Sequence, residues 1–390
     1  MERIDKYVWY QEGPGVRKNQ YTVEGIKLLN VANLVDGNID LSTSDRYISE
    51  EEANGKYKHF LADEGDLVIA SSGIQVNYFD KKMGFIKKEH LPLCMNTSTI
   101  RFKTLDKNVT NIRYFMYFLK SDIFKRQLQK LITGSAQLNF GPSHLKKIKI
   151  NMPLLENQNK AVNELDKVQE IIDTRKRQIE LLDELLKSQF VETFGDPVSN
   201  EKQWKKAPLG DECNIITGNT PSRNKKEYYG DFIEWIKSDN INTPSNYITK
   251  AEEYLSEEGE KVGRTINENS ILMTCIAGSI SCIGNVAMTN RKVAFNQQIN
   301  GIETLKNNTI FMYMQFLLSK EYIQSTINMS LKGILSKGKL SELEFIFPPI
   351  ELQNQFAQKF QQIDKQKYEI QKSLEEIQKL QESLMNKYFG

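Results

Sequence analysis

The side chains that most often carry catalysis are few and scattered in this chain. The three histidines, His59, His90 and His144, are each isolated, so a Ser-His-Asp or Cys-His arrangement has no anchor. His90 and Cys94 are four residues apart, but Pro92 between them spoils the helical spacing that a pair of metal ligands needs. The sequence therefore predicts neither a catalytic centre nor a metal site.

The sequence contains part of one nucleotide-binding motif and no complete one. Residues 333–339 match seven positions of a P-loop, yet Leu340 stands where a Ser or Thr hydroxyl must bind magnesium, and no long apolar strand precedes the loop. The sequence has no GxGxxG fingerprint, and it lacks the short Asn- or Asp-Pro-Pro-aromatic loop expected of an amino-methyltransferase. Together these absences favour a binding protein over an enzyme, and we expect no cofactor in this chain.

Length and composition set the class of protein. With 390 residues the chain has room for two domains or more, and 39% hydrophobic and 26% charged residues indicate a folded protein. The sequence has no run of eighteen apolar residues, which argues against a membrane span. The N-terminal segment lacks the apolar core of a secretory signal. We therefore expect a cytoplasmic protein with no membrane contact. The four cysteines form no CxxC pair, which argues against a disulfide scaffold.

The chain contains an internal repeat with an offset of 195 residues, half its length. Aligning residues 145–195 with residues 340–390 without a gap gives ten identities in 51 positions, where chance predicts about three. Pro-Leu-Leu-Glu-Asn-Gln-Asn at 153–159 reappears as Pro-Pro-Ile-Glu-Leu-Gln-Asn at 348–354, and Phe-Gly ends both copies. Upstream the agreement weakens and the offset drifts to between 204 and 207. We infer two copies of a diverged globular domain, each followed by a better preserved tail.

The tails predict long helices. In each tail the residues of one face recur at 3-4 spacing over about four heptads, which is typical of a coiled coil. The apolar residues predicted to pair are Leu165, Val168, Ile172, Ile179, Leu182 and Leu186 in the first tail, and Phe360, Ile363, Ile370, Leu374, Ile377 and Leu384 in the second. If the two halves pair about a pseudo-twofold axis, the helices must run antiparallel. The alternative is two separate amphipathic helices, each packed on its own domain.

Each globular part predicts a small α+β domain. In the first, short β-rich runs at 25–31 and 66–70 precede a helical pattern at 111–131. The second repeats this plan, with strands near 232–236 and 271–275 and a helix at 309–318. The predicted fold class is α+β, a tandem duplication of a small domain, each copy followed by a long helix, with the helices pairing as an antiparallel coiled coil.

The predicted boundaries separate two domains of different charge. They are 1–150 and 196–347 for the domains, and 151–195 and 348–390 for the helices. The chain has a net charge of +2, from 52 basic and 50 acidic groups. The first domain carries +6, from 23 basic and 17 acidic groups, and the second −1, from 17 and 18. A nearly neutral total neither requires nor excludes a nucleic-acid partner, because the distribution of charge matters more.

Two stretches carry the most specific motifs. The first comprises the motif at 153–158, the run Arg-Lys-Arg-Gln-Ile-Glu-Leu-Leu-Asp-Glu-Leu-Leu-Lys-Ser at 175–188, and Phe-Gly-Asp-Pro at 194–197. The second comprises Trp204, Leu-Gly-Asp at 209–211, Thr-Gly-Asn-Thr-Pro-Ser-Arg at 217–223 and Glu-Trp-Ile-Lys-Ser-Asp at 234–239. Together they resemble the central conserved helix and the start of a target-recognition domain in specificity subunits of type I restriction–modification systems. Residues 1–24 lack this opening and show Gly-Pro-Gly-Val-Arg-Lys at 13–18 instead, so the first domain belongs to a different sequence class.

The resemblance implies a non-catalytic subunit that selects a DNA sequence. Each target-recognition domain would read one half of a bipartite, asymmetric site in double-stranded DNA. The antiparallel helices would set the distance between the half-sites and dock two methyltransferase (modification) subunits, which two endonuclease/translocase subunits can join. S-adenosylmethionine, ATP and magnesium are then expected on these partner subunits.

Candidates for DNA contact follow from the chemistry of phosphates and base edges, since phosphates attract Lys and Arg while base edges suit Arg, Asn and Gln. In the first domain the candidates are Arg17, Lys18, Lys81, Lys82 and Gln137. In the second they are Thr220, Ser222, Arg223, Lys225 and Lys226, in and after the Gly-Asn-Thr-Pro loop, and Lys332, Lys337 and Lys339, expected in a flexible basic loop. For each lysine the alternative is a solvated surface charge without a partner.

Two other functions stay open at this point. A coiled-coil scaffold with two peptide- or RNA-binding domains fits the same duplication, and specific adenine methylation in cells with a partner subunit would argue against it. A stand-alone enzyme based on Glu or Asp leaves no spacing signature, and activity of the purified chain on DNA would support it.

Overall fold

The computed structural model describes residues 1–132, 138–327 and 333–390, except for the side chains of Asn77 and Leu138. Two of the predicted DNA contacts, Gln137 and Lys332, lie outside the described residues. The chain divides into two compact units. Unit 1 comprises Met1–Thr174 and Ser373–Gly390, and unit 2 comprises Arg175–Lys372.

Unit 1 begins with a domain of short strands and helices. Its strands are β1 (Glu2–Arg3), β2 (Val8–Glu12), β3 (Ile26–Leu29), β4 (Leu34–Val35), β5 (Asn38–Ile39), β6 (Tyr47–Ile48), β7 (Leu67–Ala70), β8 (Ser72–Ile74), β9 (Met83–Phe85), β10 (Leu93–Met95), β11 (Thr99–Thr104), β12 (Leu138–Asn139) and β13 (Lys149–Ile150). Its helices are α1 (Glu50–Asn54), α2 (Ile112–Lys120), α3 (Asp122–Leu131) and α4 (Pro142–Leu145). Strands β2-β11-β7-β9 form an antiparallel sheet, and β10-β3-β6 form a second sheet in which β10 and β3 are parallel.

Unit 2 contains the second domain, with α5 (Leu155–Phe194) leading into it from unit 1. Its strands are β14 (Lys206–Pro208), β15 (Cys213–Thr217), β16 (Tyr229–Gly230), β17 (Ile233–Ile236), β18 (Tyr254–Leu255), β19 (Thr265–Ile266), β20 (Ile271–Thr274), β21 (Val286–Met288), β22 (Val293–Phe295), β23 (Ile299–Thr304) and β24 (Glu344–Ile346). Its helices are α6 (Leu209–Glu212), α7 (Glu257–Val262), α8 (Thr309–Leu318), α9 (Lys320–Ser325) and α10 (Lys337–Glu342), followed by α11 (Ile350–Phe389). Strands β15-β23-β20-β21 form one antiparallel sheet, and β16-β18-β17-β22-β19 form another, in which β17 and β22 are parallel.

The two domains share one plan, which confirms the predicted duplication. The order β2-β11-β7-β9 in the first corresponds to β15-β23-β20-β21 in the second. The parallel pair β3–β10 corresponds to β17–β22, and the closing pair β1–β13 corresponds to β14–β24. Apolar residues of these strands and of α2 and α8 form the core of each domain, and both helices are buried over six consecutive residues, 114–119 and 311–316.

The long helices run antiparallel within each unit, as predicted. In unit 1, Gln381 donates to the Gln169 side chain at 2.8 Å, and Lys387 pairs with Glu164 at 3.2 Å. Residues later in α11 thus contact residues earlier in α5, which is the arrangement of an antiparallel pair. In unit 2, Lys367 pairs with Asp183, and the Phe190 and Phe356 rings are 5.4 Å apart. All twelve residues predicted to pair are buried or half-buried.

The repeated Gln-Asn of the two tails joins each long helix to the preceding domain. Gln158 is fully buried, accepts the Asn111 backbone N–H at 2.8 Å, and donates to the carbonyls of Val109 and Pro153 at 2.8 Å. In the second copy the buried Gln353 repeats this role. It accepts the Asn308 N–H at 2.9 Å and donates to Asn307 at 2.9 Å and to the Pro348 carbonyl at 2.8 Å. The repeated Gln-Asn therefore corresponds to a hydrogen-bonded junction between each long helix and the domain before it, built around a buried glutamine.

The repeated Phe-Gly at the ends of the helices has a different role. Phe194, at the end of α5, lies 4.9 Å from the ring of Phe311 in unit 2. Phe389, at the end of α11, lies 4.8 Å from the ring of Tyr114 in unit 1. Each long helix thus begins on the domain that precedes it and ends against the other domain.

One predicted element is wrong. The helical pattern at 111–131 is two helices, α2 and α3, because Ser121 between them has an extended backbone with ψ 153°. Its buried hydroxyl accepts the Phe124 N–H at 3.3 Å and so caps the start of α3. The apolar periodicity passes through this break, so the pattern alone could not show it.

Candidate nucleic-acid interface

In each domain the parallel strand pair ends at one edge of its sheet. Leu29 of β3 lies opposite Met95 of β10, and Ile236 of β17 lies opposite Phe295 of β22. Ligands commonly bind at the carboxyl ends of parallel strands, because the loops that leave them open onto the same crevice. This edge is therefore the candidate binding surface of each domain.

An asparagine follows each parallel pair and is buried in both domains. Asn96 is 1% exposed and Asn296 is 6% exposed. The backbone N–H of each donates across the strand pair, Asn96 to the Leu29 carbonyl at 3.2 Å and Asn296 to the Ile236 carbonyl at 3.0 Å. Both side chains also accept a nearby backbone N–H, that of Thr97 at 2.8 Å and that of Gln298 at 3.0 Å. The asparagine thus fixes the backbone at the start of the loop.

A glycine packs against this asparagine in each domain. The Gly13 N–H donates to the Thr99 carbonyl at 2.9 Å, and the Gly218 N–H donates to the Ile299 carbonyl at 3.0 Å. A Cβ atom on either glycine would lie 2.1 Å from the carbonyl oxygen of the asparagine. Only glycine permits this approach, so the first domain positions its loop as the second does, although the Gly-Asn-Thr-Pro motif is missing from it.

The shared glycine gives a register between the two loops. Counting from it, Val16 corresponds to Pro221, and both are buried. Lys18 then corresponds to Arg223, and both are exposed. The two loops therefore present a cation at the same position after the glycine.

Arg223 is held by aromatic rings and a carboxylate. Its guanidinium lies 4.5 Å from the Tyr229 ring and 4.8 Å from the Trp235 ring, and it pairs with Glu253 at 2.7 Å. Hydrogen bonds from Lys237 and from Arg223 lower the pKa of Glu253, so this carboxylate stays charged. About half of the Arg223 side chain remains exposed, enough to meet a phosphate.

The edge in unit 1 opens into a pocket of about 600 Å³ whose lining is part polar and part apolar. Its lining includes Asn30, Asn96, Thr97 and Ser98, with Arg46 at the rim. The Arg46 guanidinium lies over the Tyr21 ring at 5.6 Å. Side chains that donate and accept hydrogen bonds thus surround a space next to the loop at Gly13.

The other predicted contacts of the first domain lie in different environments. Arg17 and Lys18 are exposed at the start of a short 3-10 turn. Lys81 is exposed but pairs with Asp36 at 3.4 Å, and Lys82 is half-buried and donates to the Leu34 carbonyl at 2.7 Å. Lys82 therefore supports the domain itself, whereas Arg17 and Lys18 face solvent.

The predicted contacts of the second domain gather on one loop. Thr220, Ser222, Lys225 and Lys226 are exposed. The Lys225 Nζ donates to the Tyr228 hydroxyl at 3.2 Å, and this bond raises the pKa of Lys225. Between Gly218 and the first helical turn after it, the loop thus offers hydroxyl and ammonium donors.

Lys337 and Lys339 are exposed, but the prediction of a flexible loop around them is wrong. They lie in α10, whose first turn is capped by the Ser336 hydroxyl accepting the Lys339 N–H at 3.3 Å. The buried Leu340 fixes this helix to the core. The glycines at 333 and 338 suggested a loop because the serine cap was not recognised.

Sequence analysis missed the residues that follow the buried asparagines. These are Thr97 and Ser98 in the first domain and Gln297 and Gln298 in the second. The available signal was a buried apolar triplet followed by asparagine, Leu-Cys-Met-Asn at 93–96 and Val-Ala-Phe-Asn at 293–296. The two triplets are 200 residues apart, an offset that differs from the 204 to 207 of the other matches in the domains.

The helix pair of unit 2 also presents an apolar groove to solvent. Its volume is about 570 Å³, and its apolar lining is formed by Leu181, Leu182, Leu185 and Ile370. Leu181 is 46% exposed and Leu185 is 43% exposed. Large apolar side chains exposed side by side are typical of a surface that another protein covers.

Among the described residues no group of three or more His, Cys, Asp or Glu side chains is placed to hold a metal ion. No helix in the described part of the chain is long and apolar enough to cross a membrane.

Known proteins resemble this chain over most of its length. Residues 17–184 and 201–382 each match the model of the type I restriction modification DNA specificity domain. The putative type I restriction enzyme MjaX specificity subunit of Methanocaldococcus jannaschii is 22% identical over 389 residues, which cover 93% of this chain and 86% of that protein.

Two solved structures share the fold. The S subunit of a type I restriction–modification system from M. genitalium superposes with a TM-score of 0.59 at 15% identity, covering 100% of this chain and 95% of that one. A chain from a study of complex assembly and conformational transition of the type I restriction–modification system gives 0.54 at 14% identity, covering 98% and 97%.

Proposed function

Because the chain belongs to the type I restriction modification DNA specificity family, and so is a DNA sequence-specificity subunit, we propose that its two domains read the two halves of one bipartite, asymmetric DNA site. The observation that carries this proposal is the duplicated edge. Gly13 with Asn96, and Gly218 with Asn296, build the same frame in both domains. The exposed residues on the two frames differ, so the domains would read different sequences.

The two domains differ in net charge, which supports different ways of binding the phosphates of DNA. The first domain, at net +6, attracts phosphates by itself, whereas the second, at −1, offers only a local cluster of cations. That cluster comprises Arg223, Lys225 and Lys226. The second domain would therefore depend more on its partner subunit for phosphate attraction.

The subunit itself would be non-catalytic and would bring the reaction to its site through partners. Two methyltransferase subunits would dock on the paired helices, bind S-adenosylmethionine, and methylate adenine. Endonuclease/translocase subunits, with ATP and magnesium, can join this complex. The apolar groove at Leu181 and Leu185 supports docking on the helices, since burying it would remove exposed apolar surface from water.

Binding to the modification subunit of the same system tests this docking. In the double variant Leu181→Gln with Leu185→Gln, each side chain loses about 1 kcal/mol of buried apolar surface on binding. We expect the affinity for the modification subunit to fall about thirtyfold in titration calorimetry.

The matched control is Glu180→Gln with Glu184→Gln on the same helix. Both glutamates are exposed, and among the described residues their ion pairs are with the exposed Arg177, a contact worth little in water. This control should bind as the native chain does. If the native chain and the Leu181→Gln, Leu185→Gln double variant bound the modification subunit with equal affinity, this subunit would dock elsewhere.

A further inference from the structure

The two residues after each buried asparagine differ between the domains although the frame that holds them is the same. Thr97 and Ser98 follow Asn96, and Gln297 and Gln298 follow Asn296. The glycine that packs on the asparagine, and the strand pair before it, are equivalent in both domains. Two copies that read different DNA sequences from one frame must differ at the residues that meet the bases.

These residues are accessible at the edge of each domain. Thr97 and Gln297 are exposed, and Ser98 and Gln298 are half-buried. Ser98 has φ +66°, a left-handed conformation that few residues other than glycine adopt. Backbone outliers of this kind cluster at ligand-binding sites, although this chain also has four others at Asp36, Asn200, Gln203 and Asn269.

We propose that these two pairs, called the reading segments (Thr97–Ser98 and Gln297–Gln298), contact base edges and set the sequence of the two half-sites; this inference rests on the proposed function. The reading segments specify, and the neighbouring cations fix the position of the domain on DNA. Lys18 and Arg223, equivalent in register, contact phosphates on either frame.

Gln297 offers the more selective contact. Its carboxamide both donates and accepts, which matches the N6 and N7 atoms of adenine in the major groove. The Thr220 hydroxyl donates to the Gln297 Oε1, so the Gly-Asn-Thr-Pro loop orients this amide and leaves its Nε2 to donate. Thr220 is therefore a positioning residue, and the half-site of the second domain contains an A·T pair that Gln297 reads.

The first domain contacts base edges with smaller side chains. Thr97 and Ser98 hydroxyls donate or accept, and the threonine methyl group can contact a thymine methyl group. They lie at the cavity of about 600 Å³, whose rim carries Arg46. A base edge that enters this cavity meets hydroxyl and amide side chains rather than a single glutamine.

The test compares methylated motifs of complexes made with the full chain and its modification subunit. Gln297→Ala should relax one A·T position in one half of the motif, with discrimination against the wrong bases falling about 5- to 150-fold. Thr97→Ala should relax a position in the other half. Both side chains are exposed, so we expect neither variant to change the melting temperature, and thermal melting of each variant checks this.

Asn290→Ala is the matched control, since this exposed amide lies before β22, at the other end of the strand from Gln297. It should leave both halves of the motif unchanged. A folded Gln297→Ala complex that methylates the native motif, or relaxes the same half as Thr97→Ala, overturns the inference. A two-part motif from the native complex establishes the proposed function separately, so the two failures are distinguishable.

Discussion

Replacing Gly13 or Gly218 by alanine should destabilise the domain that carries it by about 3 kcal/mol and remove its half-site from the methylated motif. The added Cβ would lie 2.1 Å from the carbonyl oxygen of Asn96 or Asn296, and backbone cannot move aside as a flexible side chain can. The loop that holds Lys18 or Arg223 must then leave the asparagine. Urea denaturation of the full chain measures the loss, and hydrogen exchange assigns it to one domain.

Gly15→Ala is the control for this prediction. A Cβ at Gly15 meets nothing within 4 Å, so this variant should unfold at the same urea concentration as the native chain. If Gly13→Ala and Gly15→Ala were equally stable, the close approach of the loop to Asn96 would not exist in solution.

Gln158→Leu and Gln353→Leu should each lower stability by about 4 kcal/mol, which corresponds to a fall of about 10 °C in melting temperature. Each leucine keeps the bulk of the buried side chain but leaves three hydrogen-bonding groups of the junction without their glutamine partner. For Gln158 these are the Asn111 N–H and the carbonyls of Val109 and Pro153. Differential scanning calorimetry of the full chain measures the change.

The matched control is Asn157→Leu, one residue away. Asn157 is exposed, and the second copy already has Leu352 at the equivalent position. We expect its melting temperature to stay within about 1 °C of the native value. A similar loss for Asn157→Leu and Gln158→Leu would mean that the buried hydrogen bonds are not the source of stability.

The parts of the fold that could be predicted are those where one residue type has one physical role. The repeated Gln-Asn and Phe-Gly were visible at a constant offset because Gln158, Gln353, Phe194 and Phe389 occupy equivalent buried positions. The long helices followed from 3-4 spacing, which needs only local periodicity, and their antiparallel pairing followed from the duplication of the chain. These features survive divergence because a substitution there exposes an unpaired group or a cavity.

The candidate site could be predicted only in part. The loop at Gly218 was found because its motif is intact, but the equivalent segment 13–18 differs from 218–223 at every position except the glycine. The correspondence is visible in the structure, from the matching strand orders and from the close approach of each glycine to its asparagine. Lys82 was proposed as a DNA contact, and its bond to the Leu34 carbonyl could not be inferred, because it joins residues 48 apart.

The most direct test of the account is the methylome of a host that lacks adenine methylation and expresses this chain with the modification subunit of its system. Single-molecule sequencing should reveal one asymmetric motif in two parts, separated by a fixed gap, with one methyl-adenine on each strand. Exchanging residues 1–150 for those of another specificity subunit should change one part only. A motif without two parts, or an exchange that alters both of them, would contradict the assignment of one half-site to each domain.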